Sequence, residues 1–230
     1  SKIRSGYVRA LKTYLSVLES RNALLRQDKL QGVSDFANQL DAWDEQLANA
    51  AVPIVRSRRW FLQELSENSS REYAAISENP DEPFSLFYVG PLAQSDAPYE
   101  QMLAGLRRNR EEDRRRMYTT FGPHRDDVSL QLFGRDLRAM GSQGQLRTAV
   151  LSMKLGEIRL IEKEMGESPT LLLDDVFSEL DAKRRNALFK SAAPLQTFIT
   201  CTDRQDAAGA RADCFLRVTP TPDGTVLSRE

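Results

Sequence analysis

The run Leu171-Leu172-Leu173-Asp174-Asp175-Val176-Phe177-Ser178-Glu179-Leu180-Asp181 decides the fold. Uninterrupted leucines read as a buried strand, and the strand ends abruptly in two carboxylates. A second apolar run, Thr197 to Cys201, follows after a helix that starts near Asp181. Strand, helix, strand at this spacing predicts a parallel βαβ unit with both faces covered. In open α/β sheets ligands bind at the carboxyl ends of the strands, which is where the acidic pair falls. There the first carboxylate can hold Mg²⁺, directly or through water, and the second can orient and polarise a water that attacks a γ-phosphate. Taken alone, an Asp pair after three leucines equally fits a helix cap or a turn.

About thirty residues upstream stands Gly141-Ser142-Gln143-Gly144-Gln145-Leu146-Arg147. It opens a helix predicted from Gln143 to Met165, with Ala149, Met153, Ile158 and Ile161 on its apolar side, closed near Gly166 and followed by Pro169. Small residues at a helix start let backbone N–H groups and a Ser hydroxyl approach a phosphate at the positive end of the dipole. By itself the segment fits an ordinary Ser N-cap as well. Before it, Val128, Leu130 and Leu132 alternate, turn at Gly134-Arg135-Asp136 and resume at Leu137 and Ala139, which reads as a β-hairpin.

Further upstream, Tyr7, Val8, Leu11, Leu15 and Leu18 form one helical stripe. Phe36, Leu40, Trp43, Leu47, Ala50, Ile54, Phe61 and Leu65 form another, so an antiparallel helical arm is expected. Pro53 lies inside the second stripe, where the helix bends or two helices meet. Trp43 and Phe36 read as core. A turn-rich break from Asn79 to Pro83 precedes a short buried strand, Phe84 to Val89. A charged helix then runs from about Pro98 and carries Arg107, Arg108, Arg110, Arg114, Arg115 and Arg116 among Glu111, Glu112 and Asp113. These six arginines leave a local excess of three positive charges, enough for phosphate contact, yet Arg107 with Glu111 and Arg108 with Glu112 equally fit i,i+4 pairs on a solvated face. Cys214 to Val218 and Thr225 to Leu227 are expected as edge strands.

The 230 residues, 40% of them hydrophobic, suffice for a sizeable core. Lys plus Arg at 32 against Asp plus Glu at 33 gives a net charge of −1, so any nucleic-acid contact must come from local patches. Cys201 and Cys214 make no metal-ligand pair and no disulfide framework, which points to a reducing compartment. No apolar stretch approaches a membrane span and no signal-peptide pattern opens the chain, so a cytoplasmic location is expected. The chain begins at Ser1 directly in an apolar stripe and reads as cut from something longer.

Together these residues resemble the ABC-type ATPases. Ser142-Gln143-Gly144-Gln145 looks like the signature motif, Leu171 to Asp174 like the Walker B strand, Asp175 like the catalytic carboxylate, and Ser178-Glu179-Leu180-Asp181 like the D-loop. Thr202, in Thr200-Cys201-Thr202-Asp203, falls at the switch position, where the family often has His. Within the class, Thr119-Thr120-Phe121-Gly122-Pro123-His124-Arg125-Asp126-Asp127 and the Leu171–Asp181 run resemble the RecF family of bacterial recombination mediators. His124-Arg125 also fits a loop cap or a partner for Asp126 and Asp127.

The resemblance implies the C-terminal lobe of an ABC-type ATPase, an α/β fold with a mainly parallel sheet and edge hairpins, plus an inserted helical arm. The expected division is 1–78 helical arm, 79–118 connecting strand and charged helix, and 119–230 ATPase lobe. It implies ATP and Mg²⁺ as ligands, with Asp174 for the metal, Asp175 for the attacking water, Ser142 and Gly144 for the γ-phosphate of the opposite subunit, Ser178 and Asp181 in the D-loop, and Asp181 for the dimer seam. Gapped or junction DNA, RecR, RecO and an ATP-dependent homodimer are the implied partners. No G-x-x-x-x-G-K-[ST] loop occurs in the chain, so no nucleotide is expected on it alone, and Asp in place of the more common Glu at 175 predicts slow hydrolysis in the whole protein. The alternative is a non-catalytic DNA- and protein-binding scaffold, which would have no use for Ser142–Gln145 and Asp174-Asp175 at these places.

Overall fold

The two amphipathic stripes become α1 (Lys2–Gln31) and α2 (Phe36–Ile76). Contacts of Arg58 with Tyr7 and of Asp44 with Arg21 fix them as antiparallel. The computed structural model describes residues 2–77, 81–176, 180–203, 212–221 and 224–229. Pro53 lies within one continuous helix of 41 residues rather than between two. Its ring faces solvent, where water can replace the hydrogen bond that the ring removes.

The chain divides into two compact units, 1–168 and 169–230. In the first, α2 packs against α1, against β1 (Phe84–Val89), against α3 (Pro98–Arg108) and against α6 (Gln143–Met165). Leu47, Ala51, Ile54 and Val55 of α2 therefore share one core with Tyr14, Phe84, Leu86, Met102, Leu130 and Ala149. A smaller cluster of Leu24, Leu25 and Leu40 lies in the helices of 1–78, with Trp43 and Phe36, both half-buried, packed against it.

The charged helix breaks at Asn109 into α3 and α4 (Arg110–Arg116). β1 pairs antiparallel with β2 (Asp127–Leu132), and β2 with β3 (Arg135–Asp136). The expected hairpin is thus real but short. Asp136 caps α5 (Leu137–Met140) by accepting from the Ala139 N–H at 2.9 Å, so Leu137 and Ala139 are helical rather than extended. Helix α6 ends on Gly166 at φ 71°, the left-handed cap that its sequence position predicts.

In the second unit β4 (Leu171–Asp174) and β5 (Thr197–Thr200) pair in parallel, connected through α7 (Ala182–Ala192). This is the predicted βαβ unit. Leu173 is buried, while Leu172 and Phe198, cross-strand neighbours, are 73% and 55% exposed, so among the described residues one face of this pair is open. Among the described residues β6 (Leu216–Thr221) and β7 (Gly224–Arg229) pair as a two-stranded antiparallel ladder. Among the described residues β4–β5 is the one parallel pairing, and the fold is the expected α/β, with several helices and small sheets. No helix among the described residues is long and apolar enough to cross a membrane.

Candidate functional site

The acidic pair ends β4 in register with β5, where Asp174 lies opposite Thr200. The Thr200 hydroxyl donates to Oδ1 of Asp174, and its oxygen accepts the backbone N–H of Asp175 at 3.1 Å. One side chain thereby ties both acidic residues to the neighbouring strand. Asp175 has φ 47°, a left-handed conformation that a non-glycine residue holds at a cost of order 1–3 kcal/mol. Both carboxylates are exposed, and Oδ2 of Asp174 is left for a cation or its water shell. Mg²⁺ commonly takes one or two carboxylates, phosphate oxygens and several waters, so this donor set suits it. Among the described residues no cluster of three or more His, Cys, Asp or Glu gathers into an all-protein metal cage.

Thr202, at the expected switch position, is exposed in the bend beyond β5. The hydroxyl that reaches the acidic pair belongs to Thr200. Its sequence signal was its place at the end of the parallel partner strand, level with the first aspartate. Ser178 of the expected D-loop lies outside the described residues. Asp181 is the N-cap of α7, accepting from the Arg184 N–H at 2.8 Å and pairing with the Arg184 guanidinium.

Ser142–Gln145, in the other compact unit, forms a capping box. The Ser142 hydroxyl accepts from the Gln145 N–H at 3.2 Å, while the Gln145 side chain accepts from the Ser142 N–H at 3.0 Å. Thr148 donates to the Gly144 carbonyl at 2.8 Å and steadies the first turn. With N3 capped, the backbone N–H groups of Gln143 and Gly144 remain as the donors at this end of a 23-residue helix. Ser142 and Gln143 are exposed, so the end is open to a ligand.

The arginine-rich stretch is largely satisfied from within. Arg110 binds Asp44 and Asp41, and Arg114 binds Asp28 at 2.6 Å with its guanidinium over the Phe36 ring. Both turn toward α1 and α2. Arg115 and Arg116 share Glu112, holding its carboxyl below the usual range through hydrogen bonds led by Arg116. Among the described residues Arg107 has only a long ion-pair contact of 3.9 Å, to the half-buried Asp41. Arg108 is exposed, with no carboxylate at ion-pair distance among the described residues.

The segment Thr119–Asp127 is the junction of the first unit. Arg21, fully buried, donates to Asp44 at 2.7 Å, to Asp113 at 2.8 Å and to the Thr119 hydroxyl at 2.8 Å. Asp113 also takes the Thr120 N–H at 2.8 Å. Gly122 holds φ 134°, and an added Cβ would meet Met102 Cε and Tyr14 Oη at 2.7 Å, so a side chain there would be both strained and crowded. His124 Nε2 lies 3.0 Å from the Thr119 carbonyl, which can only accept, so the proton sits on Nε2, and Nδ1 accepts from the Tyr14 hydroxyl at 2.6 Å. Burial pushes the His124 pKa down, and the Arg125 charge adds to this. Burial raises that of Asp126, against the opposing Tyr88 hydrogen bond and Arg58. His124 is thus a neutral packing residue that couples α1 to this loop, and Asp126 is held by Arg58 and Tyr88.

No family model matches the chain. It is 42% identical over 208 residues to the DNA replication and repair protein RecF of Herpetosiphon aurantiacus, covering 90% of this chain and 53% of that protein. It is 40% identical over 207 residues to the protein of that name from Alkaliphilus oremlandii, covering 88% and 55%. Among solved structures it is similar to the recombination mediator protein RecF-ATPrS in the RecFOR pathway, with a TM-score of 0.84 and 32% identity over 99% of this chain and 59% of the other. A RecF-ATP structure of the same pathway gives 0.83. The chain spans about half the length of the relatives that it matches.

Proposed function

We propose that this chain, a relative of the RecF proteins along about nine tenths of its length, contributes the signature and Walker B elements of a composite ATP site in a DNA-repair protein that dimerises on ATP. The carrying observation is the pair Asp174-Asp175 at the carboxyl end of β4, both tied to Thr200 of the parallel neighbour. A scaffold has no reason to hold a left-handed aspartate beside a second exposed carboxylate. In this reading Asp174 holds Mg²⁺, which when bound neutralises developing phosphate charge, and Asp175 orients the attacking water. Ser142, Gln143, Gly144 and Gln145 meet the γ-phosphate held by the opposite subunit, through the open N–H groups of Gln143 and Gly144 and the dipole of α6. Asp181 lies at the dimer seam, and Thr202 follows the γ-phosphate at the switch position.

The relatives that bear the name RecF, and the solved structures of the RecFOR pathway, support a role in recombinational repair of gapped DNA with RecR and RecO. On the charged helix, the ion pairing of Arg110, Arg114, Arg115 and Arg116 leaves DNA phosphate contact chiefly to Arg107 and Arg108. Hydrolysis is slow and serves to reset an ATP-gated clamp in the cytoplasm. The test is Asp174→Asn in the whole protein that contains this chain. Hydrolysis is abolished while the melting temperature holds, and unchanged turnover would remove the Walker B assignment.

A further inference from the structure

The β2–β3 hairpin turns on Phe133 and Gly134, both with positive φ, 52° and 71°. Two such residues between paired strands make a type I′ turn, whose first position favours Asn, Asp or Gly. Phenylalanine there is strained, and it is not recovering the strain by burial, because the residue is 55% exposed. Met140, at the end of α5, is 67% exposed. Between them lies a groove of about 460 Å³ that also takes in Arg135, Asp136, Gly141 and Gln145. This volume is within the range of small-molecule sites. At Gly141 an added Cβ would come within 2.5 Å of the Leu137 carbonyl, so the floor of the groove requires glycine.

We propose that this groove is a nucleobase subsite. Phe133 supplies a ring for stacking, and Met140 a polarisable thioether against the ring edge. Asp136 spends Oδ1 on the Ala139 N–H and keeps Oδ2 as an acceptor for an exocyclic amine. Arg135 places positive charge at the rim, as a phosphorylated ligand requires. The groove shares Gly141 and Gln145 with the start of α6, so a base seated on Phe133 belongs to a molecule whose phosphates reach the Gln143 and Gly144 N–H groups. This assignment of ATP as the source rests on the proposed role of Ser142–Gln145. An unpaired DNA base is the other source of the same chemistry.

The test uses the whole protein with Phe133→Asn and Phe133→Tyr. Asn is the residue a type I′ turn favours, so F133N keeps the hairpin and melts no earlier than the parent. With ATP as the source, F133N raises the ATP concentration for half-maximal self-association about tenfold, in line with the loss of one stacked ring, while F133Y matches the parent. The second arm is a single-stranded oligodeoxynucleotide carrying 2-aminopurine. Fluorescence quenching by the parent that is lost in F133N, with the ATP response unchanged, assigns the subsite to a DNA base. If F133N alters neither response, the subsite is refuted. If the parent shows no ATP-driven self-association at all, the composite-site reading fails, and the oligonucleotide arm alone judges the groove.

Discussion

Thr200 donates its hydroxyl proton to Asp174 and accepts the N–H of the next residue, so the side chain that positions the acidic pair belongs to the neighbouring strand. Thr200→Val removes both hydrogen bonds at nearly constant volume. In the whole protein, ATP hydrolysis falls about tenfold to a hundredfold, since misplacement by about 1 Å is worth that much, and Thr200→Ser retains most of the rate. Steady-state turnover with a parallel circular-dichroism melt checks this. A T200V enzyme of normal rate would show that Thr200 does not position the pair.

Arg21 is the cation on which two buried carboxylates, Asp44 and Asp113, depend. Arg21→Met leaves Asp113 without its ion pair and weakens the hold on Asp44 to Arg110 alone. Breaking a buried pair by removing one partner costs about 3–5 kcal/mol. Urea unfolding should show a loss of that size, and a change below about 1 kcal/mol would be at odds with it.

Gly156 of α6 lies against Ser69 of α2, where an added Cβ would come within 2.8 Å of the Ser69 backbone nitrogen. Gly156→Ala pushes the two helices apart and destabilises by about 1–3 kcal/mol. Gly6, on α1, has open space at the same position, so Gly6→Ala stabilises by about 0.5–1 kcal/mol. The opposite signs of the two shifts in urea midpoint are the check.

His124 titrates lower when folded than the roughly 6.5 of an exposed imidazole, because burial disfavours its charged form. The unfolded chain then binds more protons in the window just below pH 6.5, and stability rises with pH there. The contribution is complete above the unfolded pKa and is lost as pH falls through the depressed folded value. Replacing His124 with Gln should flatten the stability profile below about pH 6.5 relative to the parent. Parallel profiles would mean that His124 is not buried neutral.

Where one local rule decides, the sequence was a good guide. The Ser142–Gln145 box and the Gly166 cap bounded α6, and three leucines followed by aspartate placed β4. The alternating pattern does not continue as a strand at Leu137 because Asp136 spends its carboxylate on a cap, which turns the chain into a helical turn. The arm and the segment after it read as separate because periodicity reports only which face is apolar. What that face meets is set by Leu86, Met102 and Ala149, far away in the chain. For the same reason the charged helix looked basic, since Asp28, Asp41 and Asp44, which neutralise Arg110 and Arg114, come from α1 and α2. At the candidate site the carboxylates were legible by position, whereas Thr200 became visible only through the strand register.

ATP-dependent pairing is read out by sedimentation of this chain, alone and mixed with a RecF N-terminal portion that carries the G-x-x-x-x-G-K-[ST] loop, each with and without Mg-ATP. Dimer-sized assembly is expected only in the mixture and only with Mg-ATP. ATP binding by the chain alone, or a folded mixture indifferent to nucleotide, would contradict the composite ATP site.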